Sequence, residues 1–366
     1  MKLKLFIFVI FFGLITPNLF AGLFFKPSTG WTWNQRVLKA TAKEQLEYCK
    51  SLETAKKYSS AIDHYNLLIK VYYNSPEAIE AYVRIGELLI LEGRFNSAEK
   101  YFENLLNLQI EETSKTLQAM SKKKKKKKGK LLDDKTKQMM FNILVRDLQK
   151  NGQKEANENP LLNLDIQRIF DNLYVVAKGY IGGARYKFLG TLPLWKQKSK
   201  FLFIYSYIIL RAPNYAKCPS MQMEIALYKL KEKDYDEAIT EFKKLSYDYS
   251  LSEEAQDVSY YIGLCHLNSS KGPAYNQENI DFAEANIKDY LLSQPDGAQV
   301  EPANEALLKI ATLRSENNLI KIKFFVGRHQ WLAAKIYINE TLIKFPDTKA
   351  AIEAKRIGLK HKEIGI

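Results

Sequence analysis

The residues best suited to chemistry in this 366-residue chain are few and scattered. Its three cysteines are Cys49, Cys218 and Cys265, and its four histidines are His64, His266, His329 and His361. A metal site needs such ligands at short, fixed spacing, and no CxxC pattern occurs. The neighbours Cys265 and His266 point to different helix faces. With three cysteines, at least one is unpaired. Cys49 and Cys265 stand where packed helices want small buried residues, so they read as small core hydrophobes rather than ligands or a disulfide.

The glycines between Lys178 and Gly190 suggest a phosphate loop. No Gly-Lys-Ser/Thr follows, and there is no GxGxxG between a strand and a helix, so a turn or short hairpin is expected. Adjacent carboxylates such as Glu253 and Glu254 read as solvated helix faces. No Ser/His/Asp order and no paired carboxylates occur in a recognisable frame. The expectation is therefore of no catalytic, metal-binding or cofactor-binding residues, and of a protein that is not an enzyme.

Charge is the next chemical signal. The chain carries +14. The run from Lys122 to Lys128, with Lys130, supplies eight of these charges and Lys2 and Lys4 two more, which leaves +4. The basic balance is thus local, and the run has no interleaved aromatics, so a nucleic-acid face is not expected. Like charges without an apolar face predict a solvated, mobile insertion. Its functional reading is contact with anionic lipid headgroups. Its bland reading is a tolerated insertion between helices.

What positions the remaining residues is helical periodicity. From Glu80 to Leu108, apolar residues fall three and four apart at Tyr82, Ile85, Leu88 and Leu89. After Gly93 they resume at Phe95, Ala98, Phe102, Leu105 and Leu106. The Gly93-Arg94 junction allows only a tight antiparallel pair. With Ala98 as a ruler, the frame Ala98, Phe102, Leu105 recurs at Ala61, Tyr65, Leu68 and at Ala238, Phe242, Leu245. Weaker copies are Ala283, Ile287, Tyr290 and Ala334, Ile338, Thr341. Twelve residues before the first three ruler alanines stand Cys49, Gly86 and Ala226; twelve after the last two stand Pro295 and Pro346. Small residues let helices touch, bulky ones fill the gap, and proline ends the second helix. The pattern resembles the tetratricopeptide repeat. It predicts an all-α fold, an α-α superhelix of tetratricopeptide-like helix pairs.

The chain then divides as follows. Residues 1–21 have a charged start, an apolar core from Leu5 to Ile15 and a small residue at Ala21, the layout of a secretory signal peptide. Leu19 is imperfect for cleavage, so an uncleaved anchor is the other reading. Residues 22–40 form an extended segment with Trp31 and Trp33, expected to lie along the first repeat. Residues 41–110 hold two repeats, 111–160 the lysine-rich insertion with one helix from Thr136 to Leu148, and 161–350 further repeats. Within these, Trp195 to Leu210 reads as a second helix and Glu301 to Val326 as a long first helix. Residues 351–366 form a capping tail.

Two stretches carry a narrower resemblance. The tail of the chain, with Trp331-Leu-Ala-Ala334 and Lys344-Phe-Pro-Asp-Thr348, is similar to the closing repeat of the BamD family of outer-membrane assembly lipoproteins. Residues 74–106 resemble that family's opening repeats. Residues 19–23, Leu-Phe-Ala-Gly-Leu, depart from it, because no cysteine is there to take a lipid. The resemblance implies a non-catalytic scaffold in the periplasm or at the periplasmic face of the outer membrane. It would bind the β-barrel assembly machinery and unfolded outer-membrane protein segments. The alternative is another exported adaptor, a cell-division or peptidoglycan-linked coordinator. The expected partner groove is lined by the first helix of each pair, with Glu80, Val83, Glu87 and Ile90 forming one stripe.

Overall fold

The computed structural model describes residues 23–26, 30–33, 38–73, 75–124, 164–183, 185–188, 192–196, 199–270, 272–274 and 277–365. The expected signal peptide, the later part of the lysine run and the helix from Thr136 to Leu148 lie outside these residues. Among the described residues, two short antiparallel strand pairs stand beside the helices: β1 (Leu23–Lys26) with β2 (Gly30–Trp33), and β3 (Arg185–Phe188) with β4 (Leu192–Lys196). The helices are α1 (Ala42–Thr54), α2 (Tyr58–Val71), α3 (Pro76–Leu91), α4 (Phe95–Lys124), α5 (Ile166–Ile181), α6 (Lys200–Arg211), α7 (Cys218–Lys231) and α8 (Tyr235–Asp248). They continue with the short α9 (Glu253–Gln256), then α10 (Val258–Ser269), α11 (Gln277–Ser293), α12 (Val300–Gly327), α13 (Trp331–Lys344) and α14 (Lys349–Lys360). Contacts divide the chain into two units, up to Ile204 and from Tyr205 onward, with the division inside α6.

The fold class is all-α, built of tetratricopeptide-like pairs: α1 with α2 and α3 with α4 in the first unit, and α7 with α8, α10 with α11 and α12 with α13 in the second. The ruler explains the packing. Ala61, Tyr65, Leu68, Ala98, Phe102, Leu105, Ala238, Phe242, Leu245, Ala283, Ile287, Tyr290, Ala334, Ile338 and Thr341 are all 0 % exposed. The small residues opposite them matter for the reason expected. A Cβ built on Gly86 would stand 2.3 Å from the Phe102 ring, so only glycine lets α3 and α4 close.

Local chemistry starts and stops the helices. Ser75, Ser252 and Thr348 accept from the backbone N–H three residues on, capping α3, α9 and α14, and Thr41 caps α1 in the same way. Four pairs turn identically. Lys56, Gly93, Lys233 and His329, each five residues before a ruler alanine, have φ of 56°, 67°, 67° and 58°. Each donates to the carbonyl three residues back, and the next residue donates five back, as in Lys57 N–H to Leu52 O at 2.9 Å and Arg94 N–H to Leu89 O at 2.8 Å. This is the left-handed Schellman stop.

Three boundaries differ from the sequence reading. The helix begun at Phe95 does not end near residue 110 but continues to Lys124, so the first lysines of the run are helical. Glu, Gln and Lys are good helix formers and need no apolar face to extend a helix already nucleated. Trp195 and Lys196 end strand β4 rather than begin a helix, and α6 starts only at Lys200. The extended N-terminal segment contains the β1–β2 hairpin.

In the second unit α12 serves two cores. Ala303, Ala306 and Ile310 pack with α10 and α11 around Ile280, Ile287 and Tyr290. Ile322 packs with Ala334, Ile338, Ala354 and Ile364. Between them Ser315, Asn317 and Asn318 are buried, and Asn317 donates to the Pro273 carbonyl at 2.5 Å.

Candidate functional site

The face expected to receive partners lies on α3. Proline at its first turn and the Ser75 cap fix where α3 begins. That registers Val83 toward the interior, 4 % exposed, and leaves Glu80, Glu87 and Ile90 half-buried. Part of the stripe is engaged within the chain. Arg168, in the first turn of α5, pairs with its two carboxylates. Its guanidinium holds Glu87 with two donors, Nε to Oε1 at 2.7 Å and Nη2 to Oε2 at 2.9 Å, while Nη1 reaches the Glu80 carboxylate at 2.9 and 3.1 Å. The Asn172 amide adds a bond to Glu87 at 3.2 Å. Glu80 and Glu87 thus form a seam between α3 and α5.

The seam extends backward to α1. Arg84 bonds Glu87 at 2.9 Å on one side and Glu53 on the other, and the Tyr65 hydroxyl also donates to Glu53. The result is a ladder of alternating charge, Glu53, Arg84, Glu87, Arg168 and Glu80, across the first helices of the first unit. Burial would raise the Glu87 pKa, but the Arg168 hydrogen bonds and charge, with Asn172 and Arg84, outweigh it and hold the carboxyl below its ordinary range. Each planar fork fixes two carboxylate oxygens at once, so the ladder fixes side-chain geometry more than a set of point charges would.

A second polar cluster ties α4 to α5 and α6. Glu99, 3 % exposed, accepts from the Tyr180 hydroxyl at 2.8 Å and pairs with Lys200, which also donates to Asn96 at 2.7 Å. Burial and the charge of Glu99 together push the Glu103 carboxyl up.

Cys49 and Cys265 stand as expected of small core residues, and Cys218, for which the spacing gave no such expectation, is free and buried as they are. Burial pushes the Cys49 and Cys265 thiols up to about 12. Among the described residues no group of three or more His, Cys, Asp or Glu could hold a metal ion, and no helix is long and apolar enough to cross a membrane.

Sequence reasoning found Glu80 and Glu87 and missed Arg168, Asn172, Arg84 and Glu53. Arg84 and Glu87 are three apart on one helix and were legible as a pair. Arg168 was visible only as one of two cations on α5, eighty-one residues from its partner Glu87.

These features define a class: a protein of stacked tetratricopeptide-like helix pairs. No family model matches the chain, and no curated protein matches it. Among solved structures, the apo quorum sensor NprR from B. thuringiensis is 12 % identical over 89 % of each chain, with a TM-score of 0.29. The C-terminal part of a TPR repeat-containing protein from Cytophaga hutchinsonii is 15 % identical, with 84 % of this chain and 98 % of that one covered and a TM-score of 0.25. The TPR domain of P58(IPK) is 11 % identical, with 88 % and 99 % covered and a TM-score of 0.21. Such scores carry no argument, and the fold class rests on the helix pairing itself.

Proposed function

We propose that the protein is a non-catalytic scaffold of the cell envelope, exported to the periplasm or the periplasmic face of the outer membrane. There it would hold components of the β-barrel assembly machinery and unfolded outer-membrane protein segments. The observation that carries this reading is the repeated helix pair with its first helices locked by the Glu53-to-Glu80 ladder. A preset face spares a partner the cost of ordering it. A partner would meet the half-exposed edges of Glu80, Glu87 and Ile90 and the outer edge of Arg168, while Val83 supports them from within. The resemblance of residues 331–348 to the BamD closing repeat names the partner class. In the structure those residues also serve the repeat itself: Ala334 is buried and Thr348 caps α14.

The test is affinity capture of the full chain from detergent-solubilised envelopes after crosslinking. Recovery of the barrel-forming subunit or its clients is expected. Recovery of cell-division or peptidoglycan enzymes instead would move the protein to the other adaptor class, and recovery of neither would remove the scaffold reading. Mass spectrometry of the mature N-terminus, with fractionation, tests export; a chain starting at Gly22 is expected.

A further inference from the structure

The last helix pair breaks the repeat pattern on its outer side. Two residues before and two after the ruler alanine, the earlier second helices carry Ser59 and Asp63, Asn96 and Lys100, Asp236 and Thr240, and Asp281 and Ala285. The corresponding residues of α13 are Leu332 and Ile336, which are 76 % and 59 % exposed. Ile343 continues the same face at 79 %, at a position where α8 and α11 also expose apolar residues, Tyr247 and Leu292, so Leu332 and Ile336 are what set α13 apart. Their spacing of four and seven residues places them in one line on the side opposite Ala334, Ile338 and Thr341. Helix packing does not explain them, because the packed side of α13 is already filled.

The terminal segment that carries this ridge is basic, although on α13 itself Lys344 is paired with Glu340 at 2.9 Å. Residues 306–366 hold twelve Lys and Arg against five Asp and Glu, whereas residues 205–305 hold nine against seventeen. On the terminal helices Lys323, Lys344, Lys349, Lys355 and Lys360 are exposed, and α14 adds exposed Ile352 and Leu359.

We infer that the outward face of α13, with the basic residues of the terminal helices, docks on the surface of an anionic lipid bilayer. Three features favour lipid over protein. The apolar residues are Leu and Ile, and nine of the twelve cations are lysine, whereas protein interfaces enrich Tyr, Trp and Arg and deplete Lys. The ridge is a straight line rather than a pocket, and acyl chains accept a ridge without a matching cavity. A symmetric pairing of two copies through this face would also set one basic surface against another. The inference stands independently of the scaffold reading.

The test is co-sedimentation of the full chain with vesicles of phosphatidylglycerol and phosphatidylcholine, and with vesicles of phosphatidylcholine alone. Binding to the anionic vesicles only is expected. The triple variant L332Q/I336Q/I343Q should partition about tenfold more weakly, since its outward side chains no longer enter the apolar layer. Because those side chains are outside the core, its helical circular dichroism and melting should match the parent. Serine in place of every lysine from Lys122 to Lys128 should leave most binding intact. Failure of the parent to bind, parent-like binding by the triple variant, or loss of all binding in the serine variant would each overturn the inference. So would a lipid-free dimer that the triple variant dissolves, because the face would then belong to a second copy.

Discussion

Glu87 shows how much one side chain can depend on its neighbours. Its two oxygens are committed to Arg84, Arg168 and Asn172, on a surface only half-shielded from water. Arg168→Ala strands two carboxylates and should cost roughly 1–2 kcal/mol, between the values for exposed and buried pairs. Arg168→Lys keeps the charge but loses the fork, and should fall between parent and alanine in urea denaturation. The pH dependence follows in sign. The folded-state pKa of Glu87 is depressed below the ordinary glutamate value of 4.5, so its contribution is present above that value and is lost as the pH falls through the folded pKa. Urea midpoints measured from neutral pH downward should therefore fall less steeply in acid for Arg168→Ala than for the parent. The thiols give a separate check. Since Cys49, Cys218 and Cys265 are buried, iodoacetamide should modify the native chain slowly and all three sites rapidly in denaturant. At this scale the core was legible and the ladder was not. Ruler spacing is a local signal, repeated along the chain. Arg168 meets Glu87 only once α5 has packed on α3, and nothing near either residue announces the other.

Helices and their turns are the next scale. Four pairs use one left-handed residue, but only Gly93 suits that conformation, while Lys56, Lys233 and His329 adopt it at some cost. Lys56→Gly, Lys233→Gly and His329→Gly should each stabilise by about 0.5–1 kcal/mol, and Gly93→Ala should destabilise by about 1 kcal/mol. Thermal melts of the four single variants would check the signs. Gly86→Ala should cost about 1–3 kcal/mol through overpacking against Phe102. The sequence revealed the Gly93 turn because glycine signals it, and concealed its three copies because lysine and histidine do not. It likewise hid the length of α4. Gln109 and Thr113 are polar yet buried, so the apolar period faded where the helix itself continued. The extent of α12 was readable because its period persists through the whole span.

At the scale of the molecule, each unit is a series of neighbouring contacts, and stability in such a series is mostly local. The helix α12 is the exception in the second unit. Its 28 residues form a rod of roughly 42 Å, at 1.5 Å rise per residue, that belongs to two successive cores. Ile322→Ala should therefore speed amide exchange in α10 and α11 as well as in α13 and α14, even though Ile322 packs only in the second core. Confinement of the effect to α13 and α14 would show that the two cores open separately.

A shared beam makes the terminal pairs a lever. Load applied where Ile364 is tucked beneath α13 has an unbroken helical path to the ring of Tyr290, past the buried Ser315, Asn317 and Asn318. Any tug on the C-terminal end would then be felt one repeat inward, as a change in tension rather than a change in shape.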